Sequence, residues 1–127
     1  MEQRFGQLLT MCGILGNFGF IERLDFENHL NSINEPLLRR GPDQKNSIDL
    51  QNFLATHSRL IIQGSKDDGI QPAIFKNIII LFNGNLYNKG SLTIELEKEG
   101  YIFQGVSDTE VVAASLYHWG SQAFEKF

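Results

Sequence analysis

Residues 11–20 read Met-Cys-Gly-Ile-Leu-Gly-Asn-Phe-Gly-Phe, and they are the most informative ten residues of the chain. Three glycines are interspersed among large apolar side chains. Glycine weakens a strand unless another backbone approaches it closely, so this composition is typical of a buried strand. The segment 13–20 is therefore predicted to form the first strand, and Cys12 stands directly before it.

The composition is that of an acidic globular chain with one domain's worth of residues. Its 127 residues include 11 Lys plus Arg and 15 Asp plus Glu, for a formal net charge of −4 and a pI of about 5.3. Nucleic acids and anionic membranes require clustered basic side chains, so neither is expected as a partner. The longest apolar run, residues 78–82, is too short to cross a membrane, and segment 1–10 lacks the apolar stretch of a signal peptide.

Apolar spacing and turn residues predict short strands in pairs, followed by helices. Asp25 is predicted to cap a first helix, which Pro36 should kink or restart and which residues 41–42 should end. One side of that helix would carry Phe26, Leu30, Ile33 and Leu37. The predicted strands after it are 46–50, 53–59, 73–75, 78–82 and 101–103. This pattern favours an α+β fold with layered sheets.

Three helices are predicted in the second half of the chain. The first carries Leu92 and Leu96 and ends at Gly100. The second opens with Ser-Asp-Thr-Glu at 107–110, a capping box in which Ser107 accepts from the Glu110 amide and the Glu110 side chain reaches back. The third covers 122–127, where the chain ends with no closing strand. We therefore expect residues 12–127 to be the N-terminal part of a longer domain.

Cys12 has two interpretations. A single cysteine excludes an intrachain disulfide, favours a reducing cytoplasm, and is most often a small buried apolar residue. Its position after Met11 suggests chemistry instead, because a thiol on an N-terminal residue has its own α-amino group as a general base. This role requires removal of residues 1–11, which we interpret as an N-terminal extension or propeptide. A Cys-His hydrolase is less well supported, since no sequence context marks His29, His57 or His118 as a base.

The remaining motifs each have an ordinary structural explanation. Arg39 and Arg40 suit the C-terminal end of a helix, where a positive charge complements the helix dipole. This explanation does not account for the Gly-Pro-Asp that follows at 41–43. Asn83-Gly84 is a common tight turn, but here it joins an apolar strand to a helix and could aim an amide and a backbone N–H at a ligand oxygen. Asp108 is not needed for the cap of its helix and is available for a cationic group.

The order of the motifs is far more specific than any one of them. They are Met-Cys-Gly-Ile-Leu-Gly at 11–16, Arg-Gly-Pro-Asp at 40–43, His-Ser-Arg-Leu at 57–60, Gln-Pro at 71–72, Asn-Gly-Asn-Leu-Tyr-Asn at 83–88 and Ser-Asp-Thr-Glu at 107–110. Together they resemble the glutaminase domain of class II glutamine amidotransferases. The Arg-Gly-Pro-Asp and His-x-Arg-Leu elements resemble its asparagine synthetase branch most.

The resemblance implies an N-terminal-nucleophile (Ntn) hydrolase fold, an αββα sandwich of two antiparallel sheets between helix layers, here incomplete. It implies that Cys12 attacks the glutamine amide to give a γ-glutamyl thioester, and that Asn83 and Gly84 form the oxyanion hole. Arg59 matches the clamp on the substrate α-carboxylate, and Asp108 matches the partner of its α-ammonium. Arg40 matches an arginine close to the nucleophile.

Two positions depart from the asparagine synthetase branch. Asn85 stands where that branch usually has a glutamate that binds the substrate ammonium, so a neutral amide replaces a carboxylate. The sequence Asn-Gly-Asn instead resembles the phosphoribosylpyrophosphate amidotransferase branch. Arg39 stands where histidine is common. The resulting hypothesis is the glutaminase half of an asparagine synthetase-like amidotransferase, and the alternative is a non-catalytic relative that keeps the fold for assembly or regulation.

The resemblance also implies partners and cofactors. Glutamine is the expected substrate, and a C-terminal synthetase domain is the expected partner, with aspartate as the default acceptor. No metal and no cofactor are expected in this segment, because Mg-ATP would bind in the synthetase domain. A homodimer is left open, and the expected location is the cytoplasm.

Overall fold

A computed structural model describes residues 11–19, 23–61, 67–105 and 107–127. The chain divides into two compact units, Met1–Ile62 and Gln63–Phe127, which are described separately below. Three predictions fall partly outside the described residues: the extension 1–11, the end of strand 13–20 and the loop 63–71. The described elements are strand β1 (Gly13–Phe18), helices α1 (Arg23–Ser32) and α2 (Asn34–Arg40), strands β2 (Gln44–Leu50), β3 (Phe53–Arg59), β4 (Ala73–Phe75) and β5 (Ile78–Ile80), helices α3 (Lys89–Lys98) and α4 (Asp108–Trp119), and a 3-10 helix (Gly120–Glu125).

The first unit contains a three-stranded antiparallel sheet in the order β1-β3-β2. In its register Gly13 lies opposite Ser58, and Gln44 lies opposite Arg59. The predicted hairpin around residues 51–52 is confirmed, although β2 begins two residues earlier than expected. Because β3 is the central strand, its residues 55–59 are all buried. The backbone that leads to the end of β3 is therefore fixed from both sides.

The helices of the first unit correct one prediction and confirm another. The first helix begins at Arg23, so Asp25 lies inside its first turn and is not the N-cap; a carboxylate there still complements the positive end of the helix dipole. The predicted restart of the helix near Pro36 is confirmed, since α1 ends at Ser32 and α2 starts at Asn34 with Pro36 as its third residue. Proline is tolerated in the first turn of α2, where its missing N–H would have no helical partner.

The second unit is built on the predicted hairpin of β4 and β5, which turns at Lys76 with a φ of 55°. Strand β5 ends at Ile80, so the prediction that it extends to Phe82 is wrong by two residues. Its core is formed by α3, α4 and the end of the hairpin. The buried members are Ile80, Leu86, Leu92, Leu96, Val111, Val112, Ala113 and Ala114.

The predicted strand 101–103 is wrong. Gly100, with a φ of 90°, ends α3 as expected, and the Tyr101 N–H then donates to the Leu96 carbonyl oxygen over 3.1 Å. This bond satisfies one of the last carbonyls of α3. The Tyr101 ring packs near Phe75 and Tyr117, at 6.3 and 6.5 Å between ring centres. Ring packing therefore replaces strand pairing here.

The end of the chain agrees with its prediction in outline. Helix α4 stops at Gly120, whose φ is 60°, and residues 120–125 form the 3-10 helix. Among the described residues the structure therefore holds two antiparallel sheets and four α-helices, which confirms the α+β class.

Candidate active site

The Cys12 thiol lies against the backbone that follows β3. The sulfur accepts a hydrogen bond from the Leu60 N–H over 3.4 Å. The thiol also donates to the Leu60 carbonyl oxygen over 3.8 Å. The pairing of Gly13 with Ser58 brings these two segments together. Cys12 is half-buried, so the thiol is held by the sheet while part of the residue remains accessible.

Arg40 is the last residue of α2, and its Nε donates to the Cys12 carbonyl oxygen over 3.2 Å. The structure thus brings the predicted arginine and the predicted nucleophile together. The contact is to the Cys12 backbone, so Arg40 fixes the position of the residue.

The Gly-Pro-Asp sequence after Arg40 secures the end of β3. A Cβ atom on Gly41 would lie 2.1 Å from the Ser58 carbonyl oxygen, so glycine is needed for this close approach. The Asp43 N–H donates to the Arg59 carbonyl oxygen over 3.0 Å, and the Asp43 carboxylate accepts from the Ile61 N–H over 2.7 Å. These contacts bracket Leu60, which in turn contacts the Cys12 sulfur.

Gly41 and Asp43 belong to the Arg-Gly-Pro-Asp motif, but reasoning from the sequence assigned neither of them a role. The signal was present, because an ordinary helix end explains the arginines of this motif but not the Gly-Pro-Asp. The partners of both residues lie in β3 and just after it, about 15 to 20 positions further on. Their role became visible only once those segments were placed together.

Arg59 is the last residue of β3 and is only 8 % exposed. One guanidinium nitrogen lies 3.5 Å from the side-chain oxygen of Gln44, its register partner in β2. Its planar guanidinium has five N–H donors, enough to bond Gln44 and a carboxylate at the same time.

In the second unit, Asn83, Gly84 and Asn85 lie exposed in the loop between β5 and α3. A Cβ atom on Gly84 would come within 2.9 Å of the Phe82 ring, so this turn packs closely on the preceding residue. The loop is held at its start by the Phe82 N–H, which donates to the buried Gln71 side-chain oxygen. It is held at its end by the Leu86 N–H, which donates to Asp108 Oδ2 over 2.9 Å.

Both of these anchors lead to the first turn of α4, since the Gln71 side chain also donates to the Thr109 hydroxyl and Asp108 is the first residue of that helix. Ser107 caps that helix by accepting from the Glu110 N–H over 3.4 Å, as predicted. The Glu110 carboxylate reaches back further than expected, to the N–H groups of Gln104 and Gly105 over 2.9 and 3.0 Å. Asp108 is left to face the loop, where its Oδ1 lies 3.0 Å from Lys89 Nζ.

One cavity of the second unit is an open groove of about 990 Å³ along β4 and the segment 99–105. None of the predicted site residues lines it. A smaller cavity of about 360 Å³ adjoins the loop and is lined by Gly84 and Asn85 together with mainly apolar side chains. Two of the predicted site residues of this unit, Gly84 and Asn85, therefore lie at the smaller cavity.

No group of three or more His, Cys, Asp or Glu side chains within the described parts of the chain is arranged to hold a metal ion. Among the described residues, no helix combines the length and the apolar character that a membrane span requires.

Comparison with known proteins agrees with the motifs. Residues 11–127 match the family described as a glutamine amidotransferase domain. The chain belongs to this family. The resemblance to class II glutamine amidotransferases is thereby confirmed, and the α+β elements described above are compatible with the Ntn-hydrolase glutaminase fold.

Two of the individual relatives are asparagine synthetases, and a third is a different amidotransferase. Asparagine synthetase (glutamine-hydrolyzing) 1 of Bacillus subtilis (strain 168) is 33 % identical over 121 residues, covering 91 % of this chain and 19 % of the relative. Asparagine synthetase (glutamine-hydrolyzing) 3 of the same strain is 35 % identical over 114 residues, covering 86 % and 18 %. The glutamine–fructose-6-phosphate aminotransferase of Buchnera aphidicola is 43 % identical over 65 residues, which cover 51 % of this chain and 10 % of the relative. The chain spans about a fifth of the length of the two synthetases.

Proposed function

We propose that this glutamine amidotransferase domain is the glutaminase half of an asparagine synthetase-like enzyme, and that it hydrolyses glutamine to glutamate and ammonia. The observation that carries the proposal is the Cys12 thiol, which is held by Leu60 at the end of β3 while Arg40 holds the Cys12 carbonyl oxygen. A thiol fixed in this way, in a domain of this family, is suited to attack an amide carbon.

The proposed reaction starts with removal of residues 1–11, which leaves Cys12 with an α-amino group. That amine takes the thiol proton as sulfur bonds to the side-chain amide carbon of glutamine. The amine then protonates the departing nitrogen as the carbon–nitrogen bond breaks, which releases ammonia and leaves a γ-glutamyl thioester. Water, deprotonated by the same amine, attacks the thioester to release glutamate and restore the thiol.

Negative charge develops on the amide oxygen in both steps. In the proposal the Asn83 side-chain amide and the Gly84 N–H donate to this oxygen, and each such donor is worth about 3 kcal/mol of barrier. The anchoring of the loop by Gln71 and Asp108 supports this role, because an oxyanion donor contributes most when it is fixed before reaction.

The two ends of the substrate backbone have opposite charges. We assign the α-carboxylate to Arg59, whose planar guanidinium can donate two parallel hydrogen bonds. The α-ammonium is assigned to Asp108, with Asn85 as a neutral acceptor. The ammonia would pass to a synthetase domain that binds Mg-ATP, where aspartate is the default acceptor. The whole enzyme would be cytoplasmic, and a homodimer is left open.

The test is glutamate release from glutamine by the full-length protein in three forms. The first begins at Cys12, the second retains residues 1–11 in a form that cannot be cleaved, and the third begins at Cys12 but carries Cys12→Ala. We expect activity from the first form alone, since the second lacks the α-amine and the third lacks the thiol. Equal rates in all three forms would contradict the proposal and favour a non-catalytic role in assembly or regulation.

A further inference from the structure

Asp108 already holds an ammonium group of this chain. Its Oδ1 lies 3.0 Å from Lys89 Nζ, and the two side chains are only partly exposed, 21 % for Asp108 and 33 % for Lys89. The other carboxylate oxygen accepts from the Leu86 N–H. Both oxygens of the proposed ammonium site are therefore engaged by groups from the loop and from the start of α3.

The position of Lys89 in its helix is unfavourable without Asp108. Lys89 is the first residue of α3, and the first turn of this helix contains no acidic residue. A positive charge at a helix N-terminus opposes the helix dipole, whereas a negative charge there is favourable. Asp108, as the first residue of α4, occupies the favoured position for its own charge and offsets the charge of Lys89.

The loop itself offers no second carboxylate. Residues 82–88 read Phe-Asn-Gly-Asn-Leu-Tyr-Asn, with the neutral Asn85 as the residue that follows Asn-Gly. Asp108, which contacts the loop at the Leu86 N–H, is therefore the carboxylate that we place opposite an ammonium group bound there. Lys89 and the α-ammonium of glutamine are chemically equivalent ligands for it, since each is an alkylammonium with three donors.

We propose that Lys89 is an internal substitute for the substrate ammonium: it occupies Asp108 in the empty site, and glutamine binds by displacing it. This inference rests on the proposed function and adds a residue that sets substrate affinity. Displacement is feasible because a partly exposed ion pair is weak and the lysine side chain is flexible. The lysine thereby weakens the binding of glutamine and leaves the chemical step unchanged.

The test compares Lys89→Met with Lys98→Met in the full-length protein. Lys98 lies in the same helix and is exposed, so its replacement removes an equal charge away from Asp108. We expect Lys89→Met to lower the KM for glutamine about two- to fivefold at low salt with kcat unchanged, and Lys98→Met to leave both unchanged. The difference should shrink as ionic strength rises, because salt screens the competing pair.

A substrate without the α-amino group separates competition from a merely structural effect. Glutaramate keeps the amide and the carboxylate but has no ammonium, so its KM should not respond to Lys89→Met. An unchanged KM for glutamine, or an equal change for both substrates, would overturn the proposal.

Glutamine binding to Cys12→Ala proteins, measured by calorimetry, distinguishes this failure from a failure of the proposed function. No turnover by the wild type contradicts the function. Tighter glutamine binding in Cys12→Ala/Lys89→Met than in Cys12→Ala would still support the inference, and equal or undetectable binding in both would overturn it.

Discussion

Gln71 and Thr109 lie 38 positions apart in the chain, yet the Gln71 side-chain amide donates to the Thr109 hydroxyl oxygen over 3.0 Å. Both residues are 5 % exposed. The oxygen of the same Gln71 amide accepts from the Phe82 N–H, one residue before Asn83. A single buried side chain therefore ties the start of α4 to the backbone that leads into the proposed oxyanion loop.

Replacement of Gln71 by alanine should affect both stability and catalysis. It leaves the Phe82 N–H and the Thr109 hydroxyl without this partner in a buried region, so we expect a loss of about 2 kcal/mol in the free energy of unfolding. Glutaminase kcat should fall about tenfold, because the loop loses one of its two anchors. Urea unfolding and glutamate release measure the two effects. Gln122→Ala, at an exposed position in the 3-10 helix, is the matched control, and a Gln71→Ala protein equal to it would contradict the assignment.

The Asp43 carboxylate should support the position of Cys12 from a distance. Asp43→Ala removes the acceptor of the Ile61 N–H, next to the residue that contacts the Cys12 sulfur. We expect a loss of about 1 kcal/mol in the free energy of unfolding and a measurable fall in kcat. Asp43→Asn keeps an oxygen acceptor and should restore most of both. If asparagine is no better than alanine, the hydrogen bond is not the cause.

The sequence alone predicts local features of this chain but not the long-range contacts of Gln71 and Asp43. Local features were predictable: the hairpin around residues 51–52, the restart at Pro36 and the Ser107 cap each depend on neighbours a few positions away. The contacts of Gln71 and Asp43 reach partners 11 to 38 positions away, and no local pattern specifies them.

The wrong predictions have the same origin. The segment 101–103 has strand-forming side chains, but the end of α3 and the rings of Phe75 and Tyr117 determine its path. Asp25 is a good capping residue by type, yet α1 begins two positions before it. In each case interactions with the surrounding structure override local propensity. The motif order nevertheless indicated the family correctly, because it combines many such local signals.

Two glycine-to-alanine substitutions should have opposite effects on stability. Gly41→Ala places a Cβ atom 2.1 Å from the Ser58 carbonyl oxygen, and only movement of the backbone could relieve the overlap. We expect a loss of about 3 kcal/mol or more. Gly90 lies in α3, and an added Cβ atom there meets nothing within 4 Å. Gly90→Ala should therefore stabilise the protein by about 0.5–1 kcal/mol. Thermal unfolding of both variants checks the contrast, and similar melting temperatures would refute the close approach at Gly41.

Tyr101 should make stability depend on pH in the alkaline range. Partial desolvation raises the pKa of Tyr101, and the charges of Tyr117 and Glu99 raise the same pKa further. The raised pKa favours the neutral form in the folded state, so the stabilisation is complete below the unfolded pKa of about 10. It is lost as the pH rises through the folded value. As the pH rises above the unfolded pKa of about 10, the Tyr101→Phe protein should lose less stability than the wild type. Absorbance titration of the tyrosines with unfolding measured in parallel tests this, and identical pH profiles would contradict it.

Asn83 and Asn85 are separated by one residue but should affect different kinetic constants. If the Asn83 amide donates to the developing oxyanion, Asn83→Ala removes an interaction made mainly in the transition state, and kcat should fall about 100- to 1,000-fold with little change in KM. Asn85 is assigned to the substrate ammonium, whose charge does not change during the reaction, so Asn85→Ala should raise KM and leave kcat nearly constant. Steady-state glutaminase kinetics of the two variants give both constants. The same kinetic defect in both would mean that the loop acts only as a unit, and that the oxyanion role does not belong to Asn83.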